Sequence, residues 1–102
     1  YTAAKHGLVG LTKALASKVS NMNITVNTLC PGWTNTDLID WEAMGKARGT
    51  DAEEAHDWAG SNNLQNRVLE PDELGPMAVL LSAAESYGIT GQVISVDGGY
   101  KV

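Results

Sequence analysis

Tyr1 and Lys5 stand four residues apart. In a helix that spacing sets two side chains about 40° apart and one turn along the axis, so a phenol and an ammonium can address one ligand. A phenol ordinarily titrates near pH ~10, and service as proton donor and acceptor near neutrality requires about 4 kcal/mol of preference for its anion. One ammonium about 4 Å away, at an effective dielectric of ~20, supplies about that much. The pair is competent for proton transfer. The spacing also arises by chance, and a tyrosine packed at a helix start beside a solvated lysine is the structural alternative.

A second group of candidates follows the run Asn27-Thr28-Leu29-Cys30-Pro31-Gly32. A strand that ends in Pro-Gly brings exposed backbone donors to the carboxyl end of a parallel sheet, where ligands of such folds bind. Pro31 and Gly32 are therefore candidates for backbone contacts, with a plain turn as the alternative. Trp33 and Trp41 suit the aromatic wall of a substrate pocket. Cys30 closes a strand and reads as a small core residue rather than a nucleophile. His6 points about 100° away from Lys5 along a helix, and His56 stands alone, so no cluster has the spacing of metal ligands and no metal is expected. Lys13 and Lys18 read as solvent contacts.

These residues need elements to position them. Ala4, Leu8, Leu11, Leu15 and Val19 recur at helical spacing and predict a helix over 3–19 with one apolar stripe. Ser20 to Asn23 is a polar turn. Ile24 to Leu29 alternates β-branched residues and predicts a strand that stops at Pro31-Gly32. Residues 33–69 hold all three Trp and seven of the twelve acids, interrupted by Gly45, Gly49 and Gly60. Short helices on a lid or binding loop fit that stretch, with its acids on a solvated face. Thr50-Asp51-Ala52-Glu53 has the spacing of a capping box, and Gly60 suits the far end of its helix. A further helix is expected from Pro71 to about Glu85, bent or delayed by Pro76. Gly91 to Val96 reads as a second strand before the turn Asp97-Gly98-Gly99. Strands alternating with helices predict an α/β fold with a parallel sheet, yet two strands do not make one, so further strands are expected elsewhere.

Composition bounds the reading. The chain has 102 residues, 43% of them apolar and 19% charged, which allows one small domain at most. A net charge of -5 is the wrong sign for a phosphate-binding surface, so nucleic acid is not an expected partner. A single cysteine excludes an internal disulfide and points to a reducing compartment. No stretch of 18 apolar residues occurs, so no membrane partner is expected, and with no secretory signal pattern a cytoplasmic location is.

In order and spacing, Tyr1-Thr2-Ala3-Ala4-Lys5, the Leu-rich helix with Gly7 and Gly10, Cys30-Pro31-Gly32, Thr34, Thr36, Thr90-Gly91 and Val96-Asp97-Gly98-Gly99 resemble the C-terminal part of the short-chain dehydrogenase/reductase family. The resemblance covers essentially the whole chain and begins at the Tyr of the family's Tyr-x-x-x-Lys motif. It implies a portion of a Rossmann-type doubly wound parallel sheet, with residues 1–102 part of a single NAD(P)-binding domain and residues 33–69 its substrate-binding lid. It also implies roles. Tyr1 is the general acid/base for a small alcohol or ketone, and Lys5 binds the nicotinamide ribose and assists Tyr1. Pro31 and Gly32 form the turn beside the nicotinamide, Thr34 offers its backbone to the carboxamide, and Thr36 contacts the carboxamide or diphosphate. Homodimers or homotetramers are expected partners, pairing the first helix and the final helix and strand with their counterparts.

Ala3-Ala4-Lys5-His6-Gly7 with Cys30-Pro31-Gly32-Trp33 is similar to 3-hydroxybutyrate dehydrogenases within the family, whereas residues 33–69 depart from their pattern. The family's Gly-rich phosphate loop, its catalytic Ser and Asn, and the residues that choose between NAD and NADP have no match in the chain. The expectation is therefore a C-terminal fragment of an oxidoreductase, inactive alone. A dinucleotide-binding regulator without catalysis, or an oligomerisation module of the same fold, are the alternatives.

Overall fold

The computed structural model describes residues 1–101. The chain folds in the order α1 (Thr2–Lys18), β1 (Thr28–Pro31), α2 (Trp41–Arg48), α3 (Ala52–Gly60), α4 (Gly75–Ser82) and β2 (Val93–Val96), with short 3-10 turns at Pro71–Glu73 and Ala84–Ser86. Two compact units result, one from Tyr1–Cys30 with Pro76–Ser95 and one from Pro31–Gly75 with Val96–Val102.

In the first unit α1 forms where the periodicity predicts it, displaced by one residue. Its stripe faces the other way. The buried residues of α1 are Thr12 and Ala16, whereas Leu8, Leu11 and Leu15 are exposed, Leu11 at 59%. The face that carries Thr12 and Ala16 meets the strand layer: the Thr12 and Thr28 hydroxyls are hydrogen-bonded, and Gly91 lies against the Ala16 methyl. Thr12 donates its proton to the Leu8 carbonyl oxygen at 2.9 Å, so the Thr28 hydroxyl must be the donor between the two threonines.

β1 begins at Thr28 rather than Ile24, and β2 at Val93 rather than Gly91. The cause lies in residues 26–27. Val26 donates its N–H to the Thr90 hydroxyl, its carbonyl accepts from Gly91 N–H, and the Asn27 side chain bonds both Ile89 O and Gln92 N–H. Side chains thus replace ladder bonds there. Further on, Thr28 N–H donates to Gln92 O at 2.8 Å and Gly32 N–H to Val96 O at 3.2 Å, a step of four residues on each strand, which makes the two-stranded sheet parallel.

The expected helix from Pro71 to Glu85 divides into three. The 3-10 turn Pro71–Glu73 precedes α4, and Pro76 falls in the first turn of α4, where its missing N–H removes no helical bond. Ala84–Ser86 follows as a second 3-10 turn. No residue of α4 is buried.

In the second unit α2 and α3 pack as a pair. Asp40 caps α2 by accepting Ala43 N–H, and Gly49, at φ +74°, closes it in the left-handed conformation glycine tolerates. The capping box of α3 sits one residue later than the sequence spacing suggests. Asp51 accepts from Glu54 N–H at 2.8 Å and Glu54 accepts from Asp51 N–H at 3.3 Å, while the Thr50 hydroxyl turns back to Gly45 O. Gly60 is the last residue of α3 and has no room for a side chain: a Cβ would stand 2.9 Å from the Arg67 Cα. Residues 62–65 are stitched to residues 98–101 by Leu64 N–H to Gly99 O, Gln65 N–H to Gly98 O and Lys101 N–H to Asn62 O, beside the antiparallel bridge of Asn63 with Tyr100.

Candidate active site

In the first unit Tyr1 caps the start of α1 and Lys5 lies one turn on, its N–H bonded to Tyr1 O at 3.0 Å. Helical spacing places the Lys5 Nζ 5.5 Å from the centre of the Tyr1 ring. The phenol is 95% exposed, and among the described residues no carboxylate forms an ion pair with Lys5. Both groups are thus open to a ligand. His6 folds back on its own helix, with Nδ1 2.9 Å from Thr2 O, and no group of three His, Cys, Asp or Glu side chains among the described residues could hold a metal ion. Cys30 is a free, half-buried thiol.

In the second unit the segment from Pro31 to Thr36 is pinned along its length. Gly32 packs against Asp97, where a Cβ would meet the Asp97 Cα at 2.8 Å, so only glycine fits. Thr34 is buried and its hydroxyl donates to Gly32 O at 2.9 Å, which locks the turn. Leu69 bridges the segment in parallel: its N–H donates to Trp33 O at 2.9 Å, and its carbonyl accepts Asn35 N–H at 2.8 Å. This alternation leaves other donors unused. Among the described residues, the backbone amides of Thr34 and Thr36 donate to no protein acceptor.

Trp33 and Trp41 come together, with ring centres 6.2 Å apart. Sequence reasoning left out the residues that complete this cluster. Trp58 meets Trp33 edge-to-face at 5.9 Å, the Arg48 guanidinium lies 3.6 Å over the Trp58 ring, and His56 meets Trp41 at 4.9 Å. The confinement of all three Trp to residues 33–58 was the available signal. Asn35 was also unmarked: its side chain accepts the Trp41 indole N–H at 3.3 Å and donates to the Glu70 carboxylate.

Behind Leu69, the Arg67 guanidinium grips Glu73 through two bonds of 2.7 and 2.6 Å. That hydrogen-bonded pairing, with the Glu70 N–H adding a second donor, holds the Glu73 carboxyl at about 2 and raises Arg67 above its ordinary value. The turn that presents Leu69 to the Trp33–Asn35 backbone is thereby fastened.

Residues 1–101 match the family model described as Enoyl-(Acyl carrier protein) reductase. The chain is 36% identical to D-beta-hydroxybutyrate dehydrogenase of Cupriavidus necator, over 98% of this chain and 40% of that protein. It is 38% identical to the 3-oxoacyl-acyl-carrier-protein reductase FabG of Chlamydia muridarum, over 97% of this chain and 36% of that protein. Among solved structures, a short chain dehydrogenase family protein from Francisella tularensis superposes with TM-score 0.90 at 32% identity, over 98% of this chain and 42% of that one. An actinorhodin polyketide ketoreductase solved with NADPH superposes with TM-score 0.89 at 34% identity, over 99% of this chain and 40% of that one. The chain thus spans about two-fifths of the length of these relatives.

Proposed function

The chain belongs to the short-chain dehydrogenase/reductase family, and from that premise we propose that it serves an NAD- or NADP-dependent oxidoreductase acting on a small alcohol or ketone. Its fold is a portion of a Rossmann-type α/β sheet. The observation that carries the proposal is the open Tyr1–Lys5 pair, an exposed phenol one helical turn from an ammonium with no carboxylate partner among the described residues.

In reduction the Tyr1 hydroxyl hands its proton to the carbonyl oxygen, and in oxidation it takes the proton of the substrate hydroxyl. Lys5 supports the charge on the phenol oxygen and donates hydrogen bonds to a ribose. The unpaired amides of Thr34 and Thr36 suit the carboxamide of a nicotinamide, which supplies the hydride chemistry when bound. Tyr1, Lys5, Pro31, Gly32, Thr34 and Thr36 are the residues proposed to hold that cofactor. Residues 33–69 are proposed as the substrate lid of a single domain, with Trp33 and Trp41 as pocket wall.

The outward leucines of α1 support a homodimer or homotetramer, and the lone free thiol supports a cytoplasmic setting. They also favour, as a second reading, an oligomerisation module.

The test is Tyr1→Phe in the protein that carries this chain. General acid–base catalysis is worth about 10²- to 10⁴-fold, so nicotinamide-linked turnover should fall by at least about 10². Undiminished turnover would refute the assignment.

A further inference from the structure

We propose that Trp58 is a positioning residue that fixes the ring of Trp33 and thereby sets the length of substrate accepted, an inference that rests on the reading of Trp33 as pocket wall. The backbone of Trp33 is immobilised by the Gly32 contact with Asp97 and by the bond from Leu69 N–H. Its side chain is held differently. Among the described residues the Trp33 indole N–H has no acceptor, so no hydrogen bond orients the ring, and packing against neighbours that include Trp41 and Trp58 decides where it points.

The two neighbouring rings are not equivalent. Trp41 is tethered by its own indole N–H to Asn35, and meets Trp33 at a tilt of 44°. Trp58 presents an interplanar angle of 68°, the edge-to-face arrangement that aromatic quadrupoles favour. It is also braced, since the Arg48 guanidinium stacks over it from the end of α2 while its own backbone belongs to α3. An aromatic pair of this geometry shifts an orientational equilibrium by a few-fold to about tenfold. Without Trp58, space the size of an indole opens beside Trp33, the ring turns into it, and a longer chain fits where a short one was held.

The experiment compares W58A, W58F and R48M in the protein that carries this chain, using butanone and methyl hexyl ketone as substrates and near-ultraviolet circular dichroism of the cofactor-free form. W58A is expected to move the kcat/KM ratio toward the longer ketone by about tenfold, through KM, and W58F to keep it within about threefold of the parent. The indole dichroism of W58A should fall by more than that of W58F, which loses the same indole but keeps an aromatic edge, because in W58A Trp33 loses its fixed orientation as well. An unchanged ketone ratio together with a dichroism loss no larger than that of W58F would overturn the inference. If W58A does not fold, R48M, which keeps all three indoles, decides by the same ratio and the same spectrum. Failure of the unsubstituted protein to reduce either ketone would remove the proposed activity instead, and the dichroism would then decide the ring coupling alone.

Discussion

The two units of this chain both contain helices but treat the apolar faces of those helices in opposite ways. In the first, α1 and α4 turn Leu8, Leu11, Leu15, Val79 and Leu80 outward, and the residues buried in α1 are a threonine and an alanine. In the second, small residues make close contact possible: Gly45, Ala55, Ala59 and Gly60 are buried, and Val68 and Leu69 complete the interior. The difference teaches that an amphipathic stripe identifies a face without saying what covers it. Close packing of small side chains, by contrast, can seal an interior within a segment of modest length.

Gly45→Ala should expose that difference most sharply. Its Cβ would collide with the Asp51 carbonyl group and the Thr50 carbonyl oxygen, backbone atoms that move only with α3. A loss of about 3 kcal/mol is expected, read as a lower denaturant midpoint. Should it prove neutral, α2 and α3 are not the rigid pair described.

Thr12→Val tests the polar contact that takes the place of apolar packing in the first unit. It strands the buried Thr28 hydroxyl and should cost about 1 kcal/mol or more, while Thr12→Ser should restore most of the loss. Equal stability of the two variants would mean that shape, not the hydroxyl, holds α1.

Leu11→Gln should change the unfolding free energy by less than about 0.5 kcal/mol, since the side chain is exposed. Sedimentation should show weaker self-association. A large loss of stability without a change in mass would place that leucine in a core after all.

The smallest effect is expected from Glu73→Gln in the second unit, where the ion pair is open to solvent and screened. The folded Glu73 carboxyl lies at about 2 against an ordinary 4.5. Its contribution is therefore fully present above about pH 4.5 and disappears as the pH falls toward 2. Acid titration of both forms should show their stabilities converging across that window; a constant gap would refute the linkage.

Much of this was legible in the sequence, for identifiable reasons. Helix α1 followed from the spacing of its leucines, and the end of β1 at Pro31 from residue type. What escaped were choices between near-equivalents. Thr50 and Asp51 both offer a capping oxygen, and the chain used the carboxylate because Thr50 is engaged with Gly45. Ile24 to Asn27 has strand-forming residues, but the side chains of Asn27 and Thr90 took over the pairing there. Gly60 does stand at the end of α3, but within the helix and not as a left-handed cap, and the proximity of Arg67 that requires a glycine there is visible in no sequence. The partners of Trp33 were invisible because Trp58 reaches it only once α2 and α3 have folded against each other.

The stitching of residues 62–65 to residues 98–101 has a consequence for how the molecule comes to be. Contacts between segments more than thirty positions apart close a long loop, and the entropy of that closure must be met before any bond repays it. On a ribosome, α2 and α3 can pair early, but the turn that follows them stays unsatisfied until residues 98–101 have been synthesised. The second unit is therefore expected to mature in two steps, a fast helix pairing and a later closure, with the backbone of residues 62–65 open to proteases in the interval.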